Sequence, residues 1–260
     1  MTLLAAHAKL TWSLHVTGVR PDGLHLLDAE MATLDLADAI ELGEAGADET
    51  PRRVVRAEPP AAARDAALGD DDLVVRALRL VGRRAHVSLV KRIPIGAGLG
   101  GGSADAAAVL RWAGELDPQV ALSLGADVPF CVRGGRAAVR GVGEVVQPLP
   151  PVLRTVTLAL APFGVDTAAC YRVFDALAPA SRQHPRNDLT AAAELVAPQL
   201  RPVRTMLESR TGATFVLAGS GSTLYCEGDP LGLGPGGTEV VEADVGPVRL
   251  LVARTVDGVG

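Results

Sequence analysis

The sequence has no apolar stretch approaching the roughly 18 residues that a membrane-spanning helix needs. Its three cysteines, Cys131, Cys170 and Cys226, are odd in number, scattered and without metal-ligand spacing. They exclude a disulfide framework and read as reduced thiols of a cytoplasmic protein. A basic excess is also missing: the net charge is −5 and the pI near 5.6. That argues against nucleic acid or an anionic membrane as the main partner, although local positive charge can still serve an anionic ligand. The N-terminus lacks a basic leader, and its apolar run at residues 3–6 is broken by His7 and Lys9, so no signal peptide is expected. No internal repeat is visible. What remains is enough for a globular protein: 260 residues, 48% hydrophobic and 21% charged, able to bury a core as one domain or two small ones.

The stretch that stands out is Pro94, Ile95, Gly96, Ala97, Gly98, Leu99, Gly100, Gly101, Gly102, Ser103, Ala104, with five glycines at positions 96–102. The alternating residues 86–93 lead in as a strand. An alanine-rich run leads out as a helix with Ser103 near its N-cap and its end near Gly114. Strand, glycine loop and helix start aim backbone N–H groups and a helix dipole at one place, which suits a polyphosphate. Glycine permits both close backbone approach and positive φ. The letters Gly96-x-Gly98-x-x-Gly101 also satisfy a dinucleotide fingerprint. However, the lead-in strand carries Lys91 and Arg92, and no strand ending in an acidic residue follows about 20 positions later. A Walker loop would need lysine where Gly102 stands. A plain structural turn is the remaining alternative to a non-Walker phosphate cradle.

In chain order, residues 8–16 alternate strictly, with Leu10, Trp12, Leu14 and Val16 on one face and Lys9, Thr11, Ser13 and His15 on the other. That pattern predicts a half-buried strand. Turn residues fill 17–23, and a second strand is expected from His25 to Leu36. Residues 43–72 break the composition: acidic, then a short strand at 51–56, then Pro59-Pro60 and an alanine-rich piece. One of Asp70, Asp71 and Asp72 caps a helix at 73–81; adjacent carboxylates rarely converge on one ion, so no metal site is assigned. A short helix starts at Pro118. Asp127 follows Gly125-Ala126 and precedes an apolar, strand-like run at 128–132. Gly134-Gly135 make a hairpin turn into 137–144. A boundary at 148–151 separates residues 1–150 from 151–260. Beyond it come a strand at 155–161 and a helix at 166–177 capped by Asp166. Helices follow at 189–196, capped by Asn187-Asp188, and at 198–209. Strand, glycine turn and strand occupy 215–226, the turn being a plain hairpin or a second anion-binding loop. Residues 228–237 hold five glycines and two prolines and cannot be helical. Strands at 238–242 and 247–254 close the chain.

Together these pieces resemble the GHMP kinase superfamily. Its signature Pro-x-x-x-Gly-Leu-Gly-x-Ser is met by Pro94, Gly98, Leu99, Gly100 and, one residue displaced, Ser103. Within it the likeness is greatest to the kinases of 4-diphosphocytidyl-2-C-methyl-D-erythritol in the non-mevalonate isoprenoid pathway. The strings that carry it are Ala8-Lys9-Leu10, residues 15–18, Arg20-Pro21-Asp22-Gly23 with His25, and residues 98–104. They continue with residues 124–130, residues 141–144, Asn187-Asp188 and Gly219-Ser220-Gly221.

The resemblance implies an α+β, two-domain GHMP kinase fold. An N-terminal ATP-binding domain of the ribosomal protein S5 domain 2-like type would span 1–150, and a C-terminal ferredoxin-like α/β domain 151–260. It implies a cytoplasmic kinase, monomer or homodimer, that uses ATP and Mg²⁺ to phosphorylate the 2-hydroxyl of the methylerythritol chain. Lys9 and Asp127 match the catalytic pair, residues 94–104 the ATP-phosphate loop, and His25 the reader of cytosine. Thr11, Leu24, Gly219, Ser220 and Gly221 fall on the substrate side, and no protein ligand for Mg²⁺ stands out. The family usually has tyrosine at Leu24, stacked on the cytosine, with asparagine at Thr11 and Asp72 and proline at His7. A side chain from 163–171 is the alternative cover for the base. Competing readings are another GHMP kinase, for homoserine or phosphomevalonate, and a non-catalytic nucleotide sensor on the same fold.

Overall fold

Two long strands organise the first half of the chain: β1 (Thr2–Val19) and β2 (His25–Glu44), paired antiparallel along nearly all their length. The computed structural model describes residues 1–46, 48–58 and 66–259, so Pro59-Pro60 and most of the alanine-rich piece lie outside the described residues. Both strands outrun the expected limits of 8–16 and 25–36. Residues 8–12, Lys9 and Thr11 included, are all buried, so alternation lapses where both faces of the sheet are covered. The β1–β2 register shifts between His7 and Lys9 and again between Thr11 and Ser13. Such irregularities re-aim side chains.

β3 (Arg53–Ala57) runs parallel to β5 (Ala85–Lys91), with the short β4 (Ala66–Ala67) at its edge. The last part of β2 pairs with β5, and its first part with β6 (Arg136–Gly141), which turns back into β7 (Val145–Pro148). Helices α1 (Leu73–Leu80), α2 (Gly101–Ala113), α3 (Pro118–Leu122) and α4 (Val128–Arg133) accompany this sheet. Alanines suit α2 because Ala104, Ala106, Ala107 and Ala108 are each at most 1% exposed, packed where larger side chains would hold the helix away.

The second half is an antiparallel sheet in the order β9 (Val216–Leu217), β10 (Leu224–Glu227), β8 (Thr155–Leu160), β12 (Gly246–Val256), β11 (Thr238–Ala243). It carries α5 (Thr167–Ala176), α6 (Thr190–Val196) and α7 (Leu200–Thr211). The end of β12 crosses to β2, pairing Thr255 with Leu34 and Val256 with Thr33, so the two sheets join edge to edge. Beneath that seam Leu10, Trp12, Leu34, Leu158 and Tyr225 form a second core, into which Ala97 and Leu99 of the glycine loop are driven.

Four local expectations need correction. α2 starts at Gly101, not Ser103, because Gly100 at φ +70° makes the turn that a side-chain cap would otherwise hold. The apolar run after Asp127 is helical: Pro129 stands in its first turn and Gly134 ends it. Gly134-Gly135 therefore joins a helix to β6 rather than closing a hairpin. Asn187 accepts from Leu189 N–H, but the N-cap position of α6 is Leu189, and the Asn187 amide serves another purpose described below. Residues 228–237 are non-helical as expected, with the Asp229 carboxylate accepting from the N–H groups of Leu233 and Gly234.

Candidate active site

Lys9 reaches its place through its backbone first. Its N–H donates to Leu99 C=O at 3.0 Å, tying β1 to the glycine loop instead of to β2. The loop lies on the lysine stem so closely that a Cβ on Gly100 would stand 2.8 Å from Lys9 Cγ. The buried ammonium then has two partners, Thr11 Oγ1 at 2.9 Å and Asp127 Oδ2 at 3.3 Å. Asp127 occupies the N-cap position of α4 yet caps nothing with its side chain, which leaves the carboxylate free to face Lys9. At 32% side-chain exposure it is open to a ligand, whereas Lys9 is at 6%.

Three segments converge here: β1 at Lys9 and Thr11, the glycine loop, and a second glycine loop at 218–221. A Cβ on Gly98 would meet Ala218 C=O at 2.6 Å and Gly221 C=O at 2.8 Å, and Thr223 N–H donates to Ala97 C=O at 3.1 Å. A Cβ on Gly219 would stand 3.4 Å from Lys9 Nζ and 3.5 Å from Thr11 Oγ1. The Asn187 amide donates to both Leu217 C=O (2.8 Å) and Gly219 C=O (2.7 Å), so its second task is to pin this loop. Ser220 bonds Thr167 at the head of α5 at 2.8 Å. Ser103, in the first turn of α2, lies beside Gly125 of the Asp127 segment.

Residues 94–103 line a cavity of about 490 Å³ with Val55, Leu68, Asp72, Leu73, Lys91 and Asp105; Lys9 is not in its wall. Ala104 lies just inside α2 and is buried. Asp72 both adjoins the cavity and caps α1 through Val74 N–H. Gly96, Gly98 and Gly100 all have positive φ, while Ala97 and Leu99 between them are buried and Ile95 is exposed. Alternation of this kind leaves the loop's backbone at the cavity wall while two side chains anchor it.

Beyond Asp127, His25 at the start of β2 packs its ring 4.5 Å from that of Tyr171, and its Nε2 pairs with Asp175 Oδ1 at 2.8 Å. Burial, with Asp127 adding to it, pushes the Tyr171 hydroxyl pKa up; the Cys131 thiol is pushed up by the same two causes. Leu24 is half-exposed at the hairpin tip. Tyr171 had no individual sequence signal, only membership of the 163–171 segment that was the alternative source of a side chain over the base. Among the described residues no three His, Cys, Asp or Glu side chains converge on a metal position.

This geometry has counterparts. The description "GHMP kinases N terminal domain" matches residues 72–135. A 4-diphosphocytidyl-2-C-methyl-D-erythritol kinase of Cereibacter sphaeroides (strain ATCC 17029 / ATH 2.4.9) is 37% identical over 255 residues, 86% of this chain and 88% of that protein. The chain belongs to this family of GHMP kinases. A relative of the same name from Paracoccus denitrificans (strain Pd 1222) is 37% identical over 239 residues, 85% of each chain. A crystal structure of 4-(cytidine 5'-diphospho)-2C-methyl-D-erythritol kinase superposes over 100% of both chains with a TM-score of 0.71 at 28% identity. A Methanococcus jannaschii mevalonate kinase, at 14% identity and TM-score 0.60 over 98% of both chains, shares the α+β fold alone. No helix among the described residues is long and apolar enough to cross a membrane.

Proposed function

We propose that this protein is an ATP-dependent small-molecule kinase that phosphorylates the 2-hydroxyl of 4-diphosphocytidyl-2-C-methyl-D-erythritol in isoprenoid precursor synthesis. The observation that carries the reading is the Lys9–Asp127 pair, 3.3 Å apart beside a glycine loop that walls a nucleotide-sized cavity. Relatives covering most of the chain are named for this reaction.

Phosphoryl transfer asks for in-line positioning and charge stabilisation more than covalent help. Asp127 orients the substrate hydroxyl and takes its proton as the new P–O bond forms. Lys9, a compact cation fixed by Thr11, pairs with Asp127 and stabilises charge on the transferred group. Backbone N–H groups of 95–103, with the dipole of α2 behind them, cradle the phosphates. The absence of a carboxylate cage among the described residues fits Mg²⁺, an ion that keeps waters and rides on substrate phosphates. Asp127 and the Ser103 hydroxyl are the oxygens of this chain on that side, and the ion would neutralise phosphate charge there. His25 and Tyr171 form the place for the cytosine, with Leu24 at its rim and the loop 219–221 closing the substrate side. In this reading residues 1–150 are the ATP-binding domain and 151–260 the ferredoxin-like one, a division supported by strands that pair around β2 in the first part and around β8 in the second, with only the end of β12 crossing between them.

The test is ADP release with Mg-ATP against the cytidyl alcohol, homoserine and phosphomevalonate. Turnover of the cytidyl alcohol alone is expected; no turnover with it would overturn the assignment.

A further inference from the structure

Only two lysines occur in the whole chain, Lys9 and Lys91; every other Lys/Arg position is arginine. Both are buried, at 5% and 6% exposure, and both lie under consecutive glycines of the same loop. Gly100 covers the Lys9 stem, and a Cβ on Gly101 would stand 3.2 Å from Lys91 Nζ. Lys91 ends β5, and its ammonium sits between Asp38 of β2 and Asp105 of α2, the latter at 2.5 Å. Asp38 is held independently, its other oxygen accepting from the N–H groups of Arg92 and Ile93 where the chain leaves β5 for the loop. Lys91 and Asp105 both line the 490 Å³ cavity. Asp105 Oδ1 is buried without a partner.

As fold cement this cluster is a poor choice, because desolvating three ionisable groups offsets most of what their attraction returns. Its position suggests another role. We propose that Lys91 is a nucleotide-site residue, its ammonium aimed by Asp38 and Asp105 at the ATP phosphates from beneath the first turn of α2. The inference rests on the reading of the glycine loop as an ATP-phosphate cradle. Lys9 then serves the transferred group and Lys91 the phosphates on the cavity side, with the loop between them. A lysine suits both places because a single point charge fits under a glycine where a planar guanidinium fork does not. Asp105 is the positioning residue. The charged groups that face it are Lys91 from β5 and Asp38 from β2, with the Cys131 thiol of α4 farther off. Burial raises its carboxyl to about 8 against the opposing pull of Lys91. With that proton on, Lys91 is balanced by Asp38 alone; with it off, a second anion lies under the phosphates.

Calorimetric titration with ATP and with adenosine, at about pH 7 and pH 9, tests this on the full chain. Lys91→Met combined with Asp105→Asn removes the ammonium while Asp38 keeps its two backbone donors. The Kd for ATP should rise about 10- to 100-fold, as when a charged hydrogen-bond partner is lost. The Kd for adenosine, which has no phosphate, should move less than about 2-fold. Asp105→Asn alone keeps the ammonium and removes only the titrating charge; between pH 7 and pH 9 its ATP affinity should gain about 3- to 10-fold on that of wild type, whose carboxylate comes to repel the phosphates. Wild-type ATP affinity in the double variant, or equal loss of ATP and adenosine, would overturn the inference. Should the double variant fail to fold, the single one decides: no gain in ATP affinity relative to wild type between pH 7 and pH 9 overturns it. Wild-type protein that binds no ATP would instead refute the cradle itself, and the inference with it.

Discussion

Replacing Gly96, Gly98 or Gly100 by alanine places one methyl group in three different surroundings. All three have left-handed φ, +72°, +77° and +70°, so each substitution carries about 1–2 kcal/mol of backbone strain. At Gly96 nothing lies nearer than Gly164 Cα at 4.0 Å, so strain is the whole effect. For a chain of this size that lowers Tm by about 2–6 °C. At Gly100 the methyl would stand 2.8 Å from Lys9 Cγ and 3.2 Å from Lys9 Cε. The stem is unbranched and gives way, carrying its ammonium off Thr11 and Asp127. A displacement approaching 1 Å in a catalytic group costs about 10²-fold, so kcat should fall about 10- to 100-fold with little change in ATP affinity. At Gly98 the methyl meets two backbone carbonyl oxygens, at 2.6 and 2.8 Å, and neither can rotate aside. The loop must part from residues 218–221, and overpacking added to strain brings the loss to about 3–5 kcal/mol. Thermal melts without nucleotide should rank the variants Gly96→Ala, Gly100→Ala, Gly98→Ala in falling stability. Steady-state ADP release should single out Gly100→Ala for loss of kcat beyond its loss of stability. If Gly98→Ala melts with Gly96→Ala, or Gly100→Ala keeps full kcat, the packing account is wrong.

Asp127→Asn preserves shape but removes the proton acceptor; kcat should drop about 10²- to 10⁴-fold while calorimetry finds ATP binding intact. Tyr171→Leu removes the ring beside His25 and should raise KM for the cytidyl alcohol about 5- to 30-fold without touching KM for ATP, in line with base stacking of about 1–3 kcal/mol. Leu24→Tyr, made at a half-exposed position next to His25, whose ring already has that of Tyr171 beside it, should change that KM less than about 3-fold, measured in the same assay. Asp105 gives a pH test of stability. Burial raises its folded-state pKa to about 8, well above the usual carboxylate range, so between the two the folded chain holds a proton that the unfolded chain has released. Stability from this group therefore falls as pH rises between about 4 and 8, and denaturant melts of Asp105→Asn should be flatter over that window.

Much of the site was legible because its parts are local. A glycine-dense loop between a strand and an alanine helix announces itself, and so do an aspartate before α1, a proline at the head of α3 and a glycine turn between β9 and β10. The α4 segment was misread because a run of five apolar residues, 128–132, fits a buried strand as well as a short helix, and no period exists over so short a span. Tyr171 was reachable only as one of several residues on α5, since its meeting with His25 joins the two halves of the chain. The Lys91 cluster was harder still, with Asp38, Lys91 and Asp105 on three elements whose adjacency no spacing encodes.

Lys9 shows what these misses have in common. By alternation it belongs with Thr11, Ser13 and His15 on the solvent face of β1, and Ser13 and His15 remain partly exposed as that pattern expects. Lys9 and Thr11 are buried instead because loops from the middle of the chain and from residues 218–221 close over that stretch of the strand. The register shifts on either side of Lys9 and Thr11 mark the same segment from the backbone side. A polar residue that alternation assigns to solvent, but that two glycine loops cover, has been desolvated by the fold. That costs free energy unless a charged partner is supplied. Here the partner is Asp127, itself only partly buried, so one side of the pair stays open to solvent. The departures from simple sequence pattern thus fall where the protein holds charge in readiness for a ligand.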